Sequence, residues 1–238
     1  MDMLLKTKYF WLLLLLPIVA ISQNEPVYTS ELTKGDLRYR EDQFYFGITY
    51  NILVNSPPGM SSRGLSGGLQ GGFLRDMPIN KRRNIAIAAG LGLTYDQYGQ
   101  NLFIGEDANG KTIFSVLDSD IDFTQNRFAL AMIEVPIELR WRTSTPTEYR
   151  FWRVYAGARI GYAYWYQSTY KEPGNDEKTS RISEFNPLRI AASLSLGYNT
   201  FNFYASYSIN PLFDDAITEK GDKIDMNTLK VGLMFYIL

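Results

Sequence analysis

From residue 44 onward the chain changes character at every second position. In "FYFGITYNIL", Phe44, Phe46, Ile48, Tyr50 and Ile52 fall on one side of an extended chain, against Tyr45, Gly47, Thr49 and Asn51. Period two marks a β-strand whose two faces meet different surroundings. The same rule runs through "NIAIAAGLGLTYD", "MIEVPIELRWR", "FWRVYAGARIGYAYWY", "LRIAASLSLGY", "FNFYASYSIN" and the terminal "LKVGLMFYIL". A Gly-rich stretch, "LSGGLQGGFL", still sets Leu65, Leu69 and Phe73 on a common side. Eight strands of about ten residues are expected, the length that crosses a bilayer when tilted.

The two sides differ in size as well as polarity. One is uniformly bulky and apolar, with Tyr50, Tyr95, Trp141, Trp152, Tyr162 and Tyr207 toward the strand ends. The other carries Gly, Ala, Ser, Thr, Asn and a few charges. A soluble β-sandwich or lipocalin-like barrel also alternates, but it turns its apolar side inward. Bulky residues outside and small or polar ones inside suit a narrow barrel in lipid, with aromatic girdles at both interfaces. The fold class read from this is all-β: a closed, up-and-down, eight-stranded antiparallel transmembrane barrel over residues 43–238. Closure leaves no unpaired strand edge in hydrocarbon, so a final strand can end inside the membrane wall.

The connections agree. Residues 75–83, 143–148 and 199–200 are short; 55–64, 99–125, 167–186 and 211–227 are longer. Short turns alternate with long loops, as when the first strand starts in the periplasm. Within the second long loop, Asn109-Gly110 between apolar-rich arms predicts a small projecting hairpin. Pro136 has no N–H for the ladder, so a bulge or a missing bond is expected there.

Ahead of the barrel, "MDMLLKTKYFWLLLLLPIVAISQ" joins Lys6 and Lys8 to an apolar run from Tyr9 to Ile21, then a small-x-small site. This reads as a secretory signal peptide over residues 1–22, cleaved between Ser22 and Gln23. Residues 23–42 are polar and without period, a periplasmic leader.

Composition removes whole classes of chemistry. The chain has 238 residues with no His and no Cys. That takes away the commonest general base, the commonest metal ligand, thiol catalysis and disulfides. A formal net charge of −1 gives no reason to expect a nucleic-acid partner. No catalytic residue, cofactor or metal site is expected. Glu134 and Glu138 lie four apart on one strand, about 13 Å at 3.3 Å per residue, too far for a glycosidase pair. The lumen side instead collects Glu134, Glu138, Arg140, Arg153, Arg159, Arg189 and Lys230. An ion path or ligand site is one reading of that set. The other is a salt-bridged plug, since an eight-stranded barrel is only wide enough for side chains to fill. The charge-rich loops at 173–181 and 214–225 read as solvated segments, or as a docking surface.

Two further patterns rest on likeness. The end of the chain, with Lys230, Gly232, Phe235 and Ile237, resembles the terminal signal read by the outer-membrane barrel assembly machinery. "MIEVPIELRWR" and "VYAGARIGY" resemble the outer-membrane β-barrel family of Bacteroidota. Within it, the spacing of "RWRTSTPTEYRFWRVYAG" is most similar to the PorT family. That resemblance implies a non-enzymatic part in type IX protein secretion, with outer-membrane lipid, the assembly machinery and other secretion-system envelope proteins as partners. The alternatives are a structural or surface-binding barrel unrelated to secretion, and a small-molecule or ion-conducting barrel.

Overall fold

The alternation of large and small residues is realised, among the described residues, as eleven strands. A computed structural model describes residues 42–118, 120–143, 152–199 and 201–237. The signal peptide, its Ser22–Gln23 cleavage and nearly all of the leader lie outside the described residues. The strands are β1 (Gln43–Val54), β2 (Gly67–Pro78), β3 (Ile85–Gly99), β4 (Leu102–Glu106), β5 (Thr112–Val116), β6 (Gln125–Arg142), β7 (Trp152–Glu172), β8 (Asn175–Thr179), β9 (Leu188–Tyr198), β10 (Phe201–Ser208) and β11 (Asn227–Ile237).

Eight of them close a barrel in the order β1-β2-β3-β6-β7-β9-β10-β11, every pair antiparallel. β11 returns to β1 along the whole strand, from Phe44 opposite Ile237 to Val54 opposite Asn227. The chain's final strand is thus an interior member of the wall. The three remaining strands stand at the outer end. β4 and β5 form a separate hairpin, and β8 folds back on the tip of β7.

The faces separate as period two demands. Phe44 is 63% exposed and its neighbour Tyr45 only 3%. Around the wall Phe46, Ile48, Leu69, Leu93, Ile133, Val135, Leu194, Phe203 and Leu233 turn outward. Aromatic residues bracket this belt: Phe44, Phe73, Trp141, Trp152, Tyr198 and Phe201 at one end, and Tyr50, Tyr95, Tyr162, Tyr164, Trp165 and Tyr207 at the other. Ten residues separate Trp152 from Tyr162. At about 3.3 Å per residue and a tilt of about 40°, that height is about 25 Å, the thickness of a barrel's lipid band.

Strand limits differ from expectation in three places. β2 continues to Pro78 opposite Ala86, so the first short turn is 79–84 rather than 75–83. β6 starts at Gln125 and β7 runs to Glu172, paired from Gln125–Lys171 onward. Above the membrane both faces of this ribbon contact protein or water, so the size alternation that marks a membrane strand fades there. β8 then takes part of the third long loop.

Pro136 falls in a gap of the ladder. β3 and β6 pair at Ala89–Ile137 and again at Gly92–Glu134, with no pair between. The missing N–H is accommodated by that interruption. A bulge does occur in β6–β7, but at Ala131/Met132, where Tyr164 is the extra residue. It leaves Tyr164 and Trp165 both facing out, and Trp165 stacks on Tyr95 at 6.3 Å.

Candidate functional site

Two features could do work: the charged column in the lumen and the folded loops above it. The column is built by the inward side of each strand. β6 contributes Glu134, Glu138, Arg140 and Arg142, and β7 contributes Arg153 and Arg159. β9 adds Arg189, β11 adds Lys230, β2 adds Asp76 and β3 adds Asp96. All of these are buried, Arg140, Arg142 and Asp76 completely.

The cations and carboxylates alternate along the axis. At the periplasmic end Arg142 grips Asp76 with both terminal nitrogens at 2.9 Å. Arg140 donates to Asp76 at 3.4 Å and, through Nε, to Glu138 at 3.1 Å. Arg159 faces Glu138 at 3.7 Å and donates to Glu134 at 3.4 Å and to Gln70 at 3.2 Å. Thr94 donates its hydroxyl to Glu134 at 2.7 Å. Toward the outer end Lys230 donates to Asp96, which also accepts from Asn51 at 3.0 Å. Arg153 and Arg189 sit at the two ends and point at backbone. Arg153 donates to the Asn199 carbonyl, and Arg189 to those of Pro211 and Asn210.

The reach across strands depends on small residues between them. β3 turns only Ala86 and Ala88 inward where Asp76 of β2 meets the arginines of β6. Gly68 lies between Thr49 and Asp96. A Cβ there would meet the Asp96 carboxylate, Thr49 Oγ1 at 2.8 Å and Asn51 Nδ2 at 3.2 Å. Four tyrosines fill the remaining width and put ring faces on the guanidinium groups. Arg159 lies 5.2 and 5.1 Å from the Tyr45 and Tyr204 ring centres, and Arg140 lies 4.6 and 5.7 Å from those of Tyr155 and Tyr236. A void of about 20 Å³ lies in the column beside Asp96, Glu134, Arg159 and Lys230, room for about one water. Asp76 and Asp96 join the seven lumen charges expected from the sequence. A strand ending at Leu74 leaves Asp76 in the turn, whereas β2 carries period two through 70, 72, 74 and 76 and turns it inside.

Glu134 and Glu138 are thus both held by cations. Among the described residues no cluster of three or more acidic side chains is placed to hold a metal. Lys230 and Gly232 of the assembly-signal pattern lie on the inward side of β11, and Phe235 and Ile237 on the lipid side. Phe235 packs edge-on against Phe201 at 5.3 Å.

The outer loops are folded. Leu102 and Ile104 of β4, Phe114 of β5, Phe128 and Leu130 of β6, and Ile182, Phe185, Leu212, Phe213, Ala216, Ile224 and Met226 from the third and fourth loops form one buried apolar cluster. Phe213 touches Phe114 at 5.3 Å and Phe128 at 5.4 Å, while Phe185 lies on Tyr166 at 4.2 Å. Backbone bonds lace the loops together: Asp214 N to Glu184 O at 2.7 Å, Asn186 N to Leu212 O at 3.1 Å, and Glu219 N to Phe114 O at 2.9 Å. Asn101 receives Ser61 N–H and donates to the Gly59 and Leu117 carbonyls. Of the two charged tracts, 173–181 is mostly exposed, as a solvated segment is, whereas 214–225 sends Ala216 and Ile224 into the cluster beside Leu212 and Phe213.

At the Asn109-Gly110 turn, Asp107 accepts the Lys111 and Asn109 amides, each at 2.8 Å. These bonds, the Lys111 amide first, hold its carboxyl below the usual range. A cleft of about 520 Å³ opens between this hairpin and the upper loops. Asp107, Lys111, Phe114, Glu184, Asp215 and Glu219 are among its lining residues.

A wall of lipid-facing bulk around a buried polar column is the architecture of an outer-membrane barrel, and the family comparison agrees. The model of the outer membrane protein beta-barrel domain matches residues 21–214. The chain belongs to that family. The protein is therefore an outer-membrane protein, with its short turns periplasmic and its long loops outside. Comparison with curated proteins finds no match. Among solved structures, the chain is similar to Ail, the attachment invasion locus protein of Yersinia pestis. In complex with the heparin analogue sucrose octasulfate, that structure shows 15% identity over 83% of this chain and 99% of that one, at a TM-score of 0.32. Ail in a phospholipid bilayer nanodisc gives 16% identity over 83% of this chain and 100% of that one, at 0.29. Superpositions this loose support no residue-by-residue comparison.

Proposed function

We propose that this barrel is a non-enzymatic, non-conducting anchor that works by protein contact through the surface its outer loops build. The observation that carries the reading is the cap. Three loops share one apolar cluster and an interlocking set of backbone bonds. A loop kept only for solubility has no use for such a core, whereas a binding surface needs its contact residues held in place. The filled lumen below argues for anchoring rather than transport.

Protein secretion is the process that the likeness of "RWRTSTPTEYRFWRVYAG" to the PorT family suggests for those contacts, with other envelope proteins of type IX secretion as partners. The terminal strand, with Lys230, Gly232, Phe235 and Ile237, would deliver the chain to the barrel assembly machinery. Cross-linking on intact cells, followed by detergent extraction of the full-length protein, tests the contact reading. The expected result is a discrete partner lost on Glu184→Lys/Asp215→Lys/Glu219→Lys. An unchanged cross-link pattern in that variant removes the cap from the function. Deletion of the gene with an unchanged set of secreted proteins removes secretion and leaves the anchor.

A further inference from the structure

The first periplasmic turn carries a cationic group that neither the column nor the cap explains. Residues 79–84 read "INKRRN", and Arg75 stands just before them on the outward side of β2. The turn is rigid. Ile79 N–H bonds to the Ile85 carbonyl at 3.0 Å, and Arg83 N–H to that of Asn80 at 3.0 Å. The Asn80 and Asn84 carboxamides join at 2.6 Å. Arg83 takes the left-handed conformation, φ 57°. Lys81 and Arg82 are exposed. Among the described residues, no carboxylate lies within ion-pair distance of Arg75, Lys81 or Arg82.

Their place in the membrane narrows the partner. Arg75 lies between Phe73 and Met77 on the lipid-facing side, at the level of the periplasmic aromatic girdle. A lipid-facing Arg costs about 2–4 kcal/mol at mid-bilayer and about 0–1 near the interface, so its charge must reach the headgroup layer. Lys81 and Arg82 continue directly beyond the apolar surface of Met77, Ile79, Ile87 and Trp141. An apolar wall with unpaired cations at its rim fits an amphiphile with acyl chains and an anionic phosphate. A soluble polyanion could meet the turn but not Arg75 within the belt.

We propose that Arg75, Lys81 and Arg82 form a headgroup site for anionic phospholipid of the periplasmic leaflet. The test uses the full mature chain refolded in vesicles of phosphatidylcholine. Brominated phosphatidylglycerol or brominated phosphatidylcholine is added, and quenching of tryptophan fluorescence is read. Trp141 and Trp152 at this rim report on nearby lipid. The expected result is at least about five-fold preference for the anionic lipid at low salt, the effect of one basic residue near an anionic surface. High salt should reduce it. Arg75→Gln/Lys81→Gln/Arg82→Gln should bring the ratio to about one, with the folded gel mobility retained. Equal quenching of the unaltered protein by both lipids overturns the proposal, whatever the variant does. So does a preference that survives in the folded variant, or binding to purified peptidoglycan through these cations with no lipid preference.

Discussion

Arg159 is the residue on which the column turns. It is the cation between Glu134 and Glu138, with Gln70, Tyr45 and Tyr204 around it. Taking one partner from a buried ion group leaves uncompensated charge, at a cost of about 3–5 kcal/mol. Replacing the whole group by neutral residues costs far less. Arg159→Met should therefore destabilise the barrel by about 3–5 kcal/mol, read from reversible urea unfolding in lipid vesicles. Adding Glu134→Gln, which restores the charge balance and leaves Glu138 to Arg140, should recover more than half of that loss. If the double variant is no more stable than Arg159→Met, the ion pairs do not set the energetics of the lumen. Much of this group was legible, because period two places Glu134, Glu138, Arg140 and Arg159 on one side of two neighbouring strands. Which cation meets which carboxylate was not. That depends on Ala86, Ala88 and Gly68 being small enough for side chains to reach past an intervening strand.

At the scale of the element, the membrane strands and the loops follow different rules, and only the first is written as a pattern. In β1 or β11 lipid on one side and packed polar groups on the other repeat every two residues, so the assignment of faces could be read directly. The cap has no period: Leu212, Phe213, Ile224 and Met226 are scattered among charges and meet only in three dimensions. Phe213 is completely buried there. Phe→Ala at such a site costs about 3–5 kcal/mol, and here the loss should fall on the loops alone, since the wall is held by its own ladders. Phe213→Ala should speed proteolysis within 209–226 on intact cells while leaving the barrel's unfolding midpoint in place. A lowered barrel midpoint would mean that cap and wall unfold as one unit. The β4–β5 hairpin should respond to acid. Asp107 is bound by the Lys111 and Asn109 amides, and its carboxyl is held below the usual range. A depressed folded value means the turn is fully supported above the unfolded value, about 3.9. That support is lost as pH falls through the lower folded value. NMR of the Lys111 and Asn109 amides should show one titration with a midpoint below 3.9. A midpoint at or above that value would show that the turn does not favour the carboxylate.

For the whole molecule the question is whether anything passes through it. Eight strands leave an interior that side chains can fill. Here four carboxylates and four cations, Asp76, Asp96, Glu134 and Glu138 against Arg140, Arg142, Arg159 and Lys230, occupy it in alternation. An ion entering from either end would have to displace a partnered charge in a low-dielectric space, and each displacement would leave its neighbour unpaired. The void of about 20 Å³ beside Lys230 has room for about one water. The cap adds a second closure above this column, and the two can be separated by experiment. In planar bilayers the unaltered protein should give no steady conductance. Phe213→Ala, which loosens only the cap, should be equally silent because the column remains. Conductance in Phe213→Ala alone would make the cap the seal and the column a wet path. Steady conductance in the unaltered protein would end the anchor reading and make the lumen a pore.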